Sequence, residues 1–283
     1  MGIVRLLLAL SVVATHCGEI FGLKFVGGPI AVQSFYIISG FYMSLILNEK
    51  YIGENNSYKL FITNRFIRLY PMYWVVLLGA ILVCAGVAFI TQGQSLPKFE
   101  HYLSVKTNIV SFTFLIVTNI IIFGQDVVTF LTINPDTGNL FLINNFRSGN
   151  LPLFDFLFVP QAWTLGLELT FYLLAPFILR RRFTIVIVLI IASFLLRFFM
   201  YSFLGLQNDP WTYRFFPTEV MFFLLGYFSY QLSLVLKKIS IHTTISLFIL
   251  IYIFSFTILY YFIPSFKFNY FPFSVKESFY FLS

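Results

Sequence analysis

Eight stretches of the chain are apolar over roughly the 20 residues that a helix needs to cross a bilayer. They lie at 3–22, 25–47, 70–91, 103–123, 163–179, 183–204, 213–236 and 243–263. Runs of that length leave few folds open. Helices that are apolar all round must be buried in protein or in lipid. A transmembrane β-strand alternates polar and apolar residues in ~10-residue segments, and these runs are continuous. Of the 283 residues only 10% are charged, against roughly 25% in a soluble domain. The composition excludes an ordinary cytosolic enzyme, a disordered chain and a disulfide-rich scaffold. The expected fold is all-α, a polytopic integral membrane helical bundle. With no internal repeat and no linker, residues 1–283 read as a single domain.

The formal net charge is +7. In a soluble protein that would suggest nucleic acid. In a membrane protein Lys and Arg gather in cytoplasmic loops, so no nucleic-acid partner is expected. The basic groups are Lys50, Lys59, Arg65 and Arg68, then Arg180, Arg181 and Arg182, then Lys237 and Lys238. Placing all three groups on the cytoplasmic side puts the N-terminus there too. An even number of crossings must then separate Arg68 from Arg180, yet three apolar runs lie between them. The run 103–123 holds Lys106, Asn108 and Asn119. It is expected to be re-entrant or broken, which is tolerated when buried in protein or lining a wet cavity. Residues 124–162, with Asn134-Pro135-Asp136 and Gly149, read as a loop, either merely solvated or contacting an acceptor. Cys17 and Cys84 sit in apolar runs and suggest neither a disulfide nor a zinc site. The first run lacks an A-x-A-like cleavage site and reads as a membrane helix. Phe279 to Ser283 resemble the opening of a further helix, so the C-terminal helices are expected to be missing.

Ionisable groups inside membrane helices cost about 2.5–3.5 kcal/mol at the helix centre on insertion scales and mark functional sites by default. The candidates are Arg5, His16, Glu19, Lys106, Glu168, Arg197 and Glu219. Arg5 and His16 are eleven residues apart, close to three whole helical turns, so they share a face about 16 Å apart. Arg5 offers an anion anchor. His16 offers an imidazole suited to general acid–base work near neutral pH. Glu19, at i+3 on the expected helix, is placed to orient that ring. Arg65 and Arg68, also at i and i+3, suit bidentate grip of phosphate groups. Glu168 lies in an apolar run and needs a partner, for which Arg197 and Arg214 are available. Arg214 and Glu219 flank Pro217, and an ion pair between them is expected. Ser39-Gly40 reads as a site of close helix packing. Topology and packing account equally well for each basic or small residue taken alone. No Walker loop, dinucleotide fingerprint, nucleophile elbow or zinc motif is present, and no metal is expected.

Taken together these elements resemble the acyltransferase-3 family of multi-helix membrane acyltransferases. Arg5…His16 is similar to its R-x10-H motif. Gly28 to Phe41, ending Ser-Phe-Tyr-Ile-Ile-Ser-Gly-Phe, resembles its G-V-x-x-F-F-x-x-S-G-F stretch, loosely at Pro29 to Val32. Arg65-Phe66-Ile67-Arg68-Leu69-Tyr70-Pro71 resembles R-x-x-R-[IL]-x-P. Trp163 to Leu173 resembles W-S-L-x-x-E-x-x-F-Y-L, with Thr164 for Ser, and Phe216 to Gly226 resembles a later F-P…F-x-x-G element. Family members usually have about ten helices, and eight runs are seen here.

The resemblance implies transfer of an acyl group, usually acetyl from acetyl-CoA, to a hydroxyl of a carbohydrate or other cell-envelope molecule. On that reading the catalytic residues are His16, Glu168 and Glu19. The donor-binding residues are Arg5, Arg65 and Arg68. The partners are acyl-CoA, a carbohydrate or lipid-linked glycan, and the bilayer of a bacterial inner membrane. The competing class is a transporter or flippase of a lipid-linked sugar, which predicts inverted repeats that the sequence does not display.

Overall fold

All eight apolar runs form helices, with two short helices between them. In the computed structural model, which describes residues 2–23, 25–52, 57–106, 108–145, 151–238 and 243–260, the order is α1 (Gly2–Cys17), α2 (Gly28–Glu49), α3 (Tyr58–Ile90), α4 (Phe99–Leu103), α5 (Ile109–Ile121), α6 (Gln125–Val128), β1 (Leu131–Ile133), β2 (Leu140–Leu142), α7 (Trp163–Ile178), α8 (Phe183–Ser202), α9 (Phe216–Leu236) and α10 (Thr243–Leu259). Four of these, α2, α3, α8 and α9, are long and apolar enough to cross a membrane. The protein is an all-α polytopic membrane protein. The expected helix at 279–283, and Arg147, Gly149 and His242, lie outside the described residues.

Boundaries move where backbone chemistry intervenes. The first helix ends at Cys17 rather than at residue 22, because Gly18 takes φ 94°, a conformation that glycine adopts freely. The third begins at Tyr58 rather than at 70, started by Ser57, whose hydroxyl accepts from Leu60 N–H at 3.3 Å. At 33 residues α3 is about 50 Å long, well beyond the ~30 Å hydrocarbon core.

The chain forms two compact units, each built from separated segments. The first comprises 1–52, 175–201 and 217–283. Here α2 and α9 approach until their backbones touch. A Cβ on Gly40 would lie 1.8 Å from the Phe223 carbonyl oxygen, and one on Gly226 would lie 2.1 Å from that of Ile37. Tyr36 stacks on Phe223 beside this crossing, ring centroids 4.5 Å apart. The Ser39-Gly40 and Gly226 elements of the sequence are therefore two sides of one contact. Ser193 Oγ donates to the Pro217 carbonyl at 2.7 Å and ties α8 to α9. Helix α1 packs on α2 through Leu8 and Ala31, while its Leu7 and Ala14 cluster with Phe25 of the connecting turn and with Ile258 of α10.

The second unit comprises 53–174 and 202–216. Its α5 has 13 residues, about 20 Å, too short for a straight crossing. That fits the expectation of a broken segment at 103–123, and the structure supplies the physical reason it is stable. The last carbonyls of a helix have no partner within it. Here Tyr73 donates to the Asn119 carbonyl, Trp74 Nε1 to that of Ile120 at 3.0 Å, and Tyr70 to that of Ile121. Three aromatic donors of α3 thus satisfy three consecutive carbonyls at the end of α5. The Asn119 side chain, read from sequence only as a weak point, accepts from Phe158 N–H at 3.0 Å and donates to the Leu115 carbonyl at 2.9 Å.

The polar stretch at 124–162 is more than a solvated loop. Strands β1 and β2 pair antiparallel, Thr132 opposite Phe141. Asn134 Oδ1 accepts from Asp136 and Thr137 N–H to shape the turn between them. Val105, Leu115, Val128, Ile133, Leu153, Phe156 and Leu157 form an apolar core beneath.

Candidate functional site

Three of the six residues singled out in the sequence belong to the first unit. Arg5 and His16 both lie on α1, and both are exposed, on the face away from its buried Leu7, Leu8, Ser11 and Ala14. The co-facial relation inferred from their spacing holds along the helix. The Arg5 guanidinium lies 5.6 Å from the Tyr42 ring centroid, a cation–π contact. His16 is in the last turn of α1, nearer a helix end than the longer helix expected from sequence would have put it. Glu19 is not on the helix. The Gly18 turn separates it from His16, so the i+3 argument for it fails.

The same unit holds a sealed ionic cluster. Arg197 of α8 pairs with Glu219 of α9 at 2.7 Å, their side chains 3% and 0% exposed. Gln33 Nε2 of α2 donates to the second carboxylate oxygen at 3.2 Å. Three helices therefore meet on one carboxylate. Arg214, expected from sequence to pair with Glu219, belongs to the second unit. Arg214 grips Asp209 with two hydrogen bonds, 2.7 and 2.9 Å.

The other three residues belong to the second unit. Arg65 and Arg68 are part of α3 rather than of the loop before it. They differ in setting: Arg65 is 9% exposed and Arg68 is exposed. The Arg65 guanidinium sits 5.7 Å from the Phe61 ring. Its Nε is buried with no hydrogen-bond partner among the described residues. Buried donors are nearly always satisfied, which makes this guanidinium a candidate contact for an anion. Glu168 is half-buried on α7 and accepts from the Tyr172 hydroxyl, one turn on, at 2.7 Å. The arginines proposed for it, Arg197 and Arg214, serve Glu219 and Asp209.

Sequence reasoning missed what surrounds the start of α7. The loop 202–216 returns to this unit and lays Arg214 over Trp163, 4.3 Å from the ring centroid, with Tyr213 edge-on to the same ring. Asp209 holds that guanidinium in its plane. On another side Gly166 leaves room for the Asp126 carboxylate: a Cβ there would lie 3.0 Å from its Oδ1. Asp126 is buried, and burial pushes its carboxyl up to about 6. The Trp163-to-Glu168 motif thus meets Arg214, held by Asp209, at Trp163 and Asp126 at Gly166, partners far away in sequence that no spacing rule could have revealed. Among the described residues no cluster of three or more His, Cys, Asp or Glu forms a metal site.

The sequence profile of a family described as an acyltransferase domain, acyltransferase-3, matches residues 1–282. Comparison with curated proteins and with solved structures gives no significant match.

Proposed function

Because the chain belongs to the acyltransferase-3 family, it is a membrane acyltransferase, and we propose that it moves an acetyl group from acetyl-CoA to a hydroxyl of a cell-envelope carbohydrate. The observation that carries the choice of an anionic donor is the buried, unpartnered Nε of Arg65. A thioester donor bearing phosphates supplies the acceptor oxygens that this group lacks. Arg68, exposed on the same helix, would add charge for the same donor.

In the proposed reaction His16 takes the proton from the acceptor hydroxyl. The oxygen attacks the thioester carbonyl carbon, the C–S bond breaks, and the thiolate of CoA receives the proton back from the imidazolium. The ester and free CoA are the products, so atoms and charge balance without a metal. We assign Glu168, with Tyr172, to contact with the acceptor. Donor supply from the cytoplasm, in a bacterial inner membrane with the N-terminus inside, accords with the three basic groups of the sequence.

The test is donor binding by the full chain in neutral detergent. Acetyl-CoA at saturating concentration is expected to raise the unfolding temperature by several degrees, and Arg65→Met to remove most of that rise. Acetyl-CoA without effect on the wild-type chain would contradict the donor assignment. An equal rise in Arg65→Met would free Arg65 of the role.

A further inference from the structure

One end of the first unit gathers basic side chains from three separate places in the chain. Arg180 Nη2 donates to the Tyr51 carbonyl at 2.8 Å, which sets the α7–α8 turn beside the end of α2. Phe183, at the start of α8, packs on Phe228 of α9, ring centroids 5.7 Å apart. Tyr230 of α9 reaches Glu49 of α2 at 3.5 Å. The end of α2 and the start of α8 therefore meet α9 at Phe228 and Tyr230, and α9 runs on about 10 Å toward the same end, to Lys237 and Lys238. That end carries Lys50, Arg180, Arg181, Arg182, Lys237 and Lys238, all exposed, with Glu49 the acidic residue among them.

What borders these charges identifies their partner. Directly beside them stand exposed apolar side chains: Phe177 at 56% and Phe183 at 43% flank the arginines, and Leu232 at 50% and Val235 at 56% precede the lysines. A basic rim on the edge of an apolar belt is where a bilayer changes from acyl chain to headgroup. A soluble polyanion needs no such belt. Arg181 is also fixed in direction, its Nε donating to the Phe177 carbonyl at 3.2 Å.

We infer that this end of the first unit holds the headgroups of anionic phospholipids, gripped by the Arg180–Arg182 turn and by Lys237 and Lys238. Basic residues at the membrane surface each add to the attraction for anionic lipid, and salt weakens it. The inference is independent of the acyltransferase reading, since neither Arg65 nor His16 enters it.

The experiment uses the full chain in neutral detergent, incubated with equal phosphatidylglycerol and phosphatidylcholine. Bound lipid is counted by native mass spectrometry. Phosphatidylglycerol is expected to be retained preferentially, less so as salt rises. The combined variant Arg182→Gln, Lys237→Gln, Lys238→Gln leaves the Arg180 and Arg181 backbone bonds intact. It is expected to lose preference for phosphatidylglycerol about tenfold while unfolding at the wild-type temperature in phosphatidylcholine. A second variant, Arg180→Lys, keeps the charge and guards against a loss caused by misfolding; it is expected to retain the preference. Equal retention of the two lipids by the wild type would overturn the inference. So would an unchanged preference in the triple variant. Displacement of phosphatidylglycerol by millimolar inorganic phosphate or by coenzyme A would also overturn it, assigning the rim to a soluble anion.

Discussion

Glu219→Leu alone is expected to destabilise the protein by about 3–5 kcal/mol, because it removes the carboxylate that pairs with the buried Arg197 guanidinium. Arg197 is 3% exposed and has no water to turn to. The triple replacement Gln33→Leu, Arg197→Met, Glu219→Leu removes the whole cluster and is expected to recover most of that loss, since buried ion pairs contribute little net stability against apolar groups of similar volume. Unfolding temperature in detergent separates the two. A single variant as stable as the wild type would mean that the carboxylate does not hold α2, α8 and α9 together. The contrast matters because intramembrane charges mark functional sites by default, and these variants measure how much of this cluster is structural.

The second large effect is expected at the α2–α9 crossing. Gly40→Ala puts a methyl group 1.8 Å from a carbonyl oxygen of the backbone, and Gly226→Ala puts one 2.1 Å from another. Backbone cannot turn aside as a flexible side chain can. Each substitution is expected to separate the two helices and cost about 3 kcal/mol, at the upper end of the overpacking range. Gly79→Ala and Gly86→Ala in α3 are the controls, because a Cβ at either meets nothing within 4 Å. Those are expected to be neutral, or stabilising by up to about 1 kcal/mol. Four variants with the same unfolding temperature would show that the close approach is not a constraint.

The sequence disclosed the helices well and their ends poorly. Apolar runs report what lipid or core requires, and a run such as 243–263 emerges almost unaltered as α10 (Thr243–Leu259). Ends depend on single residues. Gly18 cut α1 short and thereby took Glu19 off the helix on which its role had been argued. The polar residues of 103–123 were legible as an anomaly. Their explanation was not, because the donors that satisfy α5 come from Tyr70, Tyr73 and Trp74, some fifty residues earlier. Charged pairs were the least legible. Pro217 drew attention to its neighbours Arg214 and Glu219, whereas Asp209, which grips the first, and Arg197 and Gln33, which hold the second, carried no such signal. The choice among several carboxylates and guanidiniums is made by tertiary structure. By contrast, Arg5 and His16 needed only the helical repeat, and their shared face was readable from eleven residues of spacing.

The central claim is that the protein transfers an acyl group with His16 as the base. It is tested most directly by label from radiolabelled acetyl-CoA entering the lipid and glycan fractions of membranes that contain the chain, beside His16→Ala at equal abundance. The expected result is incorporation with the intact chain and a loss of about a hundredfold or more in the variant, in line with general base catalysis. Equal incorporation by both would contradict the role given to His16, and with it the mechanism.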